Sequence, residues 1–247
     1  MKVALCLSGQ PRAVEVGFQK LQGTILNDND VDVFIHTWFD PENLSQNSVI
    51  PGREGHQLDP QAIDKLVQLY EPKGILVEKP KSWKRDYGFA DKCFVKAWTW
   101  ALEVSGGMDV AKEYINNTTH GMFYSIMMSN LLKERYVAEN DTHYDWVVRN
   151  RIDYAPHVGI KFESPPEDDS AFYYDYNPDH PDGMVGDWFG FGSNNAMNVY
   201  SGVFNNIGQL VRQSIKEDGY WCNELLVKHQ LKNNNINVVG GSYQVHY

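Results

Sequence analysis

The chain lacks the features that mark several large protein classes. Its 247 residues include only three cysteines, Cys6, Cys93 and Cys222, which lie far apart and show no CxxC spacing. This argues against a disulfide framework and against a cysteine-rich zinc site. The longest apolar run near the start spans residues 3–7, which is too short for a signal-peptide core or a membrane span. We therefore expect a cytoplasmic protein with no membrane span.

Basic residues are also scarce relative to acidic ones. The 22 Lys and Arg residues face 32 Asp and Glu residues, which gives a formal net charge of −10. Such a surface repels a nucleic acid duplex or an anionic membrane, so we expect no nucleic acid partner. An anionic ligand would need a local nest of donors or a bridging metal cation.

The length and composition fit one large α/β domain. At about 150 residues per domain, the length favours a single core over two small ones. The 42% hydrophobic and 22% charged residues exclude a disordered, collagenous or coiled-coil protein. We find no internal repeat and no linker, so residues 1–247 are predicted to form one domain.

Hydrophobic patterning predicts alternating strands and helices along the chain. Strands are predicted at 2–7, 31–37, 74–78, 144–148, 171–176 and 236–239, and a strand or turn at 187–193. Helices are predicted at 13–21, 60–70, 91–104, 122–138, 196–216 and 224–231. The chain therefore opens in the order β, α, β, α, β, which is typical of an α/β fold.

The first candidate site is the turn after the first strand, which contains Ser8, Gly9, Gln10, Pro11 and Arg12. A glycine allows close approach to the backbone, and a guanidinium suits a phosphate or a carbonyl. The segment is neither a Walker loop nor a GxGxxG fingerprint. The alternative is an ordinary strand-to-helix turn with a solvated arginine.

The second candidate pairs Arg151 with Asp153 at the end of a buried strand. Alternation along an extended segment turns both side chains to the same side. The carboxylate can ligate Mg²⁺ or Mn²⁺ while the arginine contacts a diphosphate oxygen. The alternative is an exposed, salt-bridged pair.

The third candidate is the aromatic and glycine-rich segment 187–193, which carries Asp187 and Trp188. Flat aromatic faces suit the apolar faces of sugars or bases, although Phe189 and Phe191 are equally consistent with core packing. Asp187 lies between a glycine and a tryptophan, and it would need a partner if buried.

The fourth candidate is Glu224, in the first turn of the last predicted helix. The helix dipole alone explains an acidic residue there, but the carboxylate is also placed to act as a general base toward a hydroxyl. His246 is a candidate metal ligand near the C-terminus, and the alternative is a merely exposed terminal histidine.

Four sequence segments, taken in order, carry a resemblance to a known family. They are LSGQPR at 7–12, FIHTW at 34–38, YDWVVRNRID at 144–153 and DWFGFGS at 187–193, with Tyr124 and Ser125 on the helix before the third. The chain resembles the nucleotide-sugar-dependent glycosyltransferases of GT-A fold, of the bacterial and viral type that builds lipopolysaccharide or other surface glycans.

The resemblance implies a fold and a location. It implies a single-domain, GT-A-like (Rossmann-like) α/β fold in which helices flank a mixed sheet. Residues 1–153 would form the nucleotide-binding half, and residues 154–247 the acceptor half. The protein would act in the cytoplasm of a bacterial or virus-infected cell.

The resemblance also implies an activity, the transfer of a sugar from a UDP- or GDP-sugar donor to a glycan acceptor hydroxyl. Implied donor-binding residues are Ser8, Gly9, Gln10, Pro11, Arg12, Trp38, Arg151 and Trp188. Asp153 would hold Mn²⁺ or Mg²⁺, with His246 as the further candidate ligand named above, although Arg151 stands where the family's DxD motif has its first aspartate. Glu224 matches the catalytic base best, and Asp187 is the second candidate.

Two other functions stay open at this point. One is a non-catalytic carbohydrate-binding or scaffold domain, in which the aromatic segment binds glycan and the acidic residues are structural. The other is a nucleotidyltransferase, which shares the strand-end arrangement but commonly has a more basic phosphate loop. Hydrolysis of a nucleotide sugar, or activity with a nucleoside triphosphate, would separate these possibilities.

Overall fold

Helices pack on both faces of one mixed sheet in the computed structural model, which describes residues 1–44, 57–83, 107–175 and 184–241. The strands are β1 Lys2–Gly9, β2 Asp30–Trp38, β3 Gly74–Glu78, β4 Trp146–Arg151, β5 Ala171–Asp175, β6 Phe189–Gly192 and β7 Asn237–Gly241. The helices are α1 Val14–Leu21, α2 Ala62–Tyr70, α3 Met108–Asn140, α4 Asn194–Ser201, α5 Val203–Asp218 and α6 Asn223–Asn233. A π-helical turn, Gln22–Leu26, extends α1.

The seven strands lie in the order β3-β2-β1-β4-β6-β5-β7. Strands β1, β2, β3 and β4 run parallel to one another, β6 is antiparallel to both β4 and β5, and β7 is parallel to β5. The prediction of an α/β fold with a mixed sheet between helices is therefore confirmed.

Alternation along the central strands builds two apolar layers. In β1, Val3, Leu5 and Leu7 pack toward α1 and α2, whereas Ala4 and Cys6 pack toward α3 to α6. Strands that are buried on both faces read as continuous hydrophobic runs, which is why the β1 sequence shows no polar alternation until its end. After Ala4 and Cys6, the next residue on the α3 side of β1 is Ser8, a polar residue close to the end of the strand.

The carboxyl ends of β1, β2, β3 and β4 meet at one edge of the sheet, because these strands are parallel. The antiparallel β6 begins at this edge, since Phe189 pairs with Asn150 near the end of β4. Helix α6 leads through a short turn into β7, which is parallel to β5, so α6 also begins at this edge. Open α/β sheets bind ligands at such an edge.

Three predicted elements differ in the structure. Strand β4 continues through Arg151 instead of ending at residue 148. Helix α3 begins at Met108, well before residue 122, because its polar first half is held by tertiary contacts: Asn116 donates to the Trp83 carbonyl, and Asn117 accepts from the Trp83 amide. The helix predicted at 196–216 is two helices, which meet at Gly202. The helix predicted at 91–104 lies outside the described residues.

No helix in the described ranges combines the length and the apolar character that crossing a bilayer requires. The proposed division into a nucleotide-binding half and an acceptor half stays a prediction.

Candidate functional site

A row of polar side chains crosses three neighbouring strands at the carboxyl edge. Ser8 of β1 is in register with His36 of β2 on one side and with Arg151 of β4 on the other. One step deeper on the same face, Arg149 is in register with Cys6. Both rows face the layer formed by α3 to α6, so this layer covers the site from one side.

Arg151 and Asp153 form a bidentate ion pair. Nε of Arg151 donates to Oδ1 of Asp153 over 2.9 Å, and Nη2 donates to Oδ2 over 2.7 Å. Burial opposes ionisation of Asp153, but the hydrogen bonds from Arg151 and the charge of Arg12 outweigh it and lower the pKa of the carboxyl. The Arg151 guanidinium also lies 5.2 Å from the centre of the Trp188 ring, within cation-π range.

The turn after β1 brings Arg12 to the same place. Gly9 has a φ of 116°, which favours glycine, and its amide donates to Oγ of Ser125 over 2.9 Å. The guanidinium of Arg12 interacts electrostatically with Asp153 and Arg151, and burial lowers its pKa. Its Nε is buried and has no hydrogen-bond partner among the described residues.

Arg149 is a buried guanidinium beneath this ion pair. Its side chain lies among the largest fully buried ones, and the residue is only 1% exposed. Burial lowers its pKa, while the nearby groups Tyr200 and Asp187 favour the charged form. Within the described part of the chain, Nε and Nη1 have no hydrogen-bond partner. Two buried donors on one side chain thus find no acceptor among the residues that the structure describes.

Asp187 and Glu224 form a second acidic group beside the arginines. Asp187 is 3% exposed, and burial together with the charge of Glu224 raises its pKa to about 7, although Arg149 and Arg151 oppose this. Asn223 hydrogen-bonds to Asp187 and also accepts from Oγ1 of Thr119 over 2.8 Å. Glu224 lies in the first turn of α6 and is partly exposed.

An aromatic cluster lies at the ends of β2 and β3, and we define it as His36, Trp38, Trp83, Tyr124 and Phe204. Trp38 stacks on Tyr124 with ring centres 5.4 Å apart, and Tyr124 packs edge-on against Phe204 at 5.2 Å. The indole of Trp38 donates to the Gly121 carbonyl over 3.1 Å. Trp38 is therefore a packed residue of this cluster, and it is 7% exposed.

A hydrogen-bond chain connects this cluster to the turn after β1. Nδ1 of His36 lies 2.8 Å from Oγ of Ser125, which also accepts from the Gly9 amide, and Nε2 of His36 lies 3.0 Å from Oε2 of Glu78. Burial lowers the pKa of His36. Burial opposes ionisation of Glu78, but its hydrogen bonds with Lys81, His36 and Tyr124 lower its pKa to about 2.

The structure brings together most of the side chains that the sequence singled out. Those that converge are Ser8, Arg12, Arg151, Asp153, Asp187, Trp188 and Glu224. Ser8 and Gly9, which were predicted in the turn after the first strand, belong to β1, because the strand continues its pairing with β2 through Gly9. Gln10 and Pro11 lead from the strand to Arg12, and Trp38 belongs to the aromatic cluster. His246 lies outside the described residues. The functional roles of all these residues stay predictions.

The donor set in the described ranges does not fit the expected Mn²⁺ or Mg²⁺. These cations prefer several ionised or carbonyl oxygens, yet each carboxylate oxygen of Asp153 already accepts from Arg151. We find no group of three or more His, Cys, Asp or Glu residues there that could hold a metal ion. We therefore derive no step through a cation, and the metal stays a prediction.

Sequence reasoning missed Arg149 and Asn223. The predicted strand ended at residue 148, which left Arg149 in a polar tail. The signal was present in the sequence, since Val147, Arg149 and Arg151 alternate and hence share one face of β4. Asn223 contacts both Thr119 and Asp187, which are distant in sequence, so only the folded structure reveals its place.

No protein-family model matches this chain, and comparison with curated proteins gives no significant match.

Proposed function

We propose that the chain is a GT-A-type glycosyltransferase that moves a sugar from a UDP- or GDP-sugar to a glycan hydroxyl. The observation that carries this proposal is the convergence of an arginine cluster, Arg12, Arg149 and Arg151, with the carboxyl pair of Asp187 and Glu224. Both lie where β1 and β4 end and β6 and α6 begin. The sequence resemblance supports the same function, in the synthesis of surface polysaccharide or glycoprotein glycans in the cytoplasm of a bacterial or virus-infected cell.

The arginine cluster suits the leaving group of such a reaction. When the bond between the anomeric carbon and the diphosphate breaks, negative charge develops on the diphosphate oxygens. Guanidinium groups form charge-assisted, bidentate hydrogen bonds to phosphate oxygens. In a site that excludes water, such preorganised donors give the largest electrostatic contribution to catalysis.

The carboxyl pair suits activation of the acceptor. Glu224 takes the proton of the acceptor hydroxyl while the hydroxyl oxygen bonds to the anomeric carbon, and the electron pair of the breaking bond leaves with the diphosphate. Asp187 is the second candidate for this role, but its pKa of about 7 leaves it substantially protonated at neutral pH. A protonated Asp187 is suited to donate a hydrogen bond to a sugar oxygen.

Trp188 provides an apolar surface beside both groups. Its ring lies 5.2 Å from the Arg151 guanidinium and packs edge-on against Tyr154 at 6.1 Å. The residue is only partly buried, in contrast to the neighbouring Phe189. We therefore assign sugar contact to Trp188 and core packing to Phe189.

A thermal-shift panel tests the proposal. Nucleoside diphosphates and their sugars are expected to raise the melting temperature of the protein, and one base should give the largest shift, because selective ligands stabilise by mass action. The best donor is then incubated with the protein, and release of the nucleoside diphosphate is measured. Sugar transfer to an acceptor is then compared in two variants: Glu224→Gln, which should lose the base, and the control Glu163→Gln, a change at an exposed carboxylate paired with Lys161.

The outcomes separate the candidate functions. Stabilisation by a nucleotide sugar with slow release of its nucleoside diphosphate supports a glycosyltransferase. Glycan binding without any nucleotide effect would indicate a carbohydrate-binding domain and contradict the proposal. Pyrophosphate release from a nucleoside triphosphate would also contradict it and indicate a nucleotidyltransferase.

A further inference from the structure

We propose that the donor diphosphate binds directly to the guanidinium groups of Arg12, Arg149 and Arg151, without a bridging divalent cation. This inference rests on the proposed function and deepens it. It departs from the sequence-based expectation of Mn²⁺ or Mg²⁺.

Unsatisfied donors at the site are the first argument. Nε and Nη1 of Arg149, Nε of Arg12 and Oγ of Ser8 are buried without a hydrogen-bond partner in the described ranges. Native proteins pair the great majority of their buried polar groups, because an unpaired buried donor loses its hydration without compensation. These donors lie around one ion pair, since Ser8 is in register with Arg151 and both other arginines interact with Asp153. A ligand with several acceptor oxygens would satisfy them.

The charge at the strand end is the second argument. In a DxD motif two carboxylates repel a diphosphate, and a divalent cation is needed to reverse the sign. Here Arg151 replaces the first aspartate, which changes the charge at that position from minus one to plus one. This change equals the charge that a bound divalent cation would supply.

The ion pair of Arg151 and Asp153 is the third argument. Both carboxylate oxygens accept from the guanidinium, over 2.9 and 2.7 Å. Metal binding by Asp153 would have to break this pair, whereas anion binding by Arg151 leaves it in place. Asp153 is thus a positioning residue, which holds the guanidinium in a fixed direction at the edge of the sheet.

Isothermal titration calorimetry tests the inference with three probes: inorganic pyrophosphate, UDP and GDP. Each is titrated once in the presence of EDTA and once with Mn²⁺. We expect pyrophosphate and one nucleotide to bind in EDTA, with an affinity within about threefold of that in Mn²⁺. An affinity at least tenfold higher in Mn²⁺, with that gain lost in Asp153→Asn, would overturn the inference.

Substitutions at two arginines assign the binding to their guanidinium groups. In EDTA, Arg151→Met and Arg12→Met should each weaken pyrophosphate binding by about 10-fold to 100-fold, the scale of a lost charged hydrogen bond. Arg151→Lys keeps the charge but loses the bidentate geometry, so its affinity should be intermediate. Arg135→Met is the matched control, because Arg135 is exposed on α3, where it forms an ion pair with Glu139. Unchanged binding in both Arg151→Met and Arg12→Met would refute the assignment.

The same measurements distinguish failure of this inference from failure of the proposed function. Pyrophosphate binding in EDTA without turnover of any nucleotide sugar would leave the anion site standing and remove the proposed activity. Sugar transfer that requires Mn²⁺ would keep the activity and overturn the cation-free site. Circular dichroism and melting temperature of each variant verify that it is folded.

Discussion

The residue that follows Arg12 has an unusual backbone conformation. Ala13 has φ 44° and ψ 44°, in the left-handed region, and is exposed just before α1. A residue with a Cβ atom pays about 1–2 kcal/mol there. The turn that directs Arg12 into the site therefore lowers the free energy of unfolding.

Replacing this alanine should stabilise the protein. Ala13→Gly removes the Cβ atom, and we expect the free energy of unfolding to rise by about 1 kcal/mol. Urea denaturation measures the change. Ala138→Gly, at an exposed position inside α3, is the control and should lower stability by about 1 kcal/mol. A loss of stability in Ala13→Gly would contradict the reasoning.

At the carboxyl pair, the two acids are expected to behave differently. Glu224→Gln should lower turnover with acceptor by about 100-fold or more while leaving donor binding nearly unchanged, because a general base is lost. Steady-state kinetics and donor titration check this. If Glu224→Gln retains wild-type turnover and Asp187→Asn is inactive, Asp187 is the base instead.

Among the secondary-structure elements, helix α1 packs unusually closely against the segment that follows β4. A Cβ atom on Gly17 would lie 2.1 Å from the Ile152 carbonyl oxygen, and the backbone of Asp153 is also near. Only glycine allows α1 to approach this closely. The helix therefore supports the segment that carries Arg151 and Asp153.

Gly17→Ala should consequently disturb both folding and the site. We expect a loss of about 1–3 kcal/mol in unfolding free energy, the usual cost of overpacking, and weaker pyrophosphate binding. Gly23→Ala is the matched control, since a Cβ atom there meets nothing within 4 Å. Chemical denaturation and calorimetry on both variants provide the comparison. Equal stability of the two variants would show that α1 shifts freely.

Some secondary-structure elements could be predicted from the sequence and others could not. Strands β1, β2 and β3 were predicted because short apolar runs bounded by turn residues have few alternatives. The first half of α3 was not, because Asn116 and Asn117 carry no helical hydrophobic pattern and are stabilised by Trp83 from another segment. Likewise, the sequence singles out Asp187 as a candidate residue. Its hydrogen bond with Asn223 could not be predicted, because it depends on how β6 and α6 pack together.

At the scale of the whole molecule, the raised pKa of Asp187 makes the free energy of unfolding depend on pH. An unfolded aspartate titrates near pH 4, whereas the folded Asp187 has a pKa of about 7. Between these values the native state binds more protons than the unfolded state. The contribution of this group to stability is thus present below about pH 4 and is lost as pH rises through 7.

Asp187→Asn should remove this dependence. The variant's unfolding free energy relative to wild type should be higher at pH 8 than at pH 5, by an amount on the order of 2 kcal/mol. Urea denaturation of both proteins at the two pH values measures the difference, and the titration of other groups cancels in the comparison. A difference that is independent of pH would show that Asp187 titrates normally.

The place of β6 in the sheet has a consequence for how the chain folds. β6 follows β5 in sequence but lies between β5 and β4. Until residues 189–192 have been synthesised, β4 and β5 have no strand between them, and the inner edge of β4 carries unpaired backbone groups. Unpaired edges of this kind promote aggregation. A fragment that ends before β6 should therefore aggregate, and a peptide that supplies the β6 sequence should suppress that aggregation.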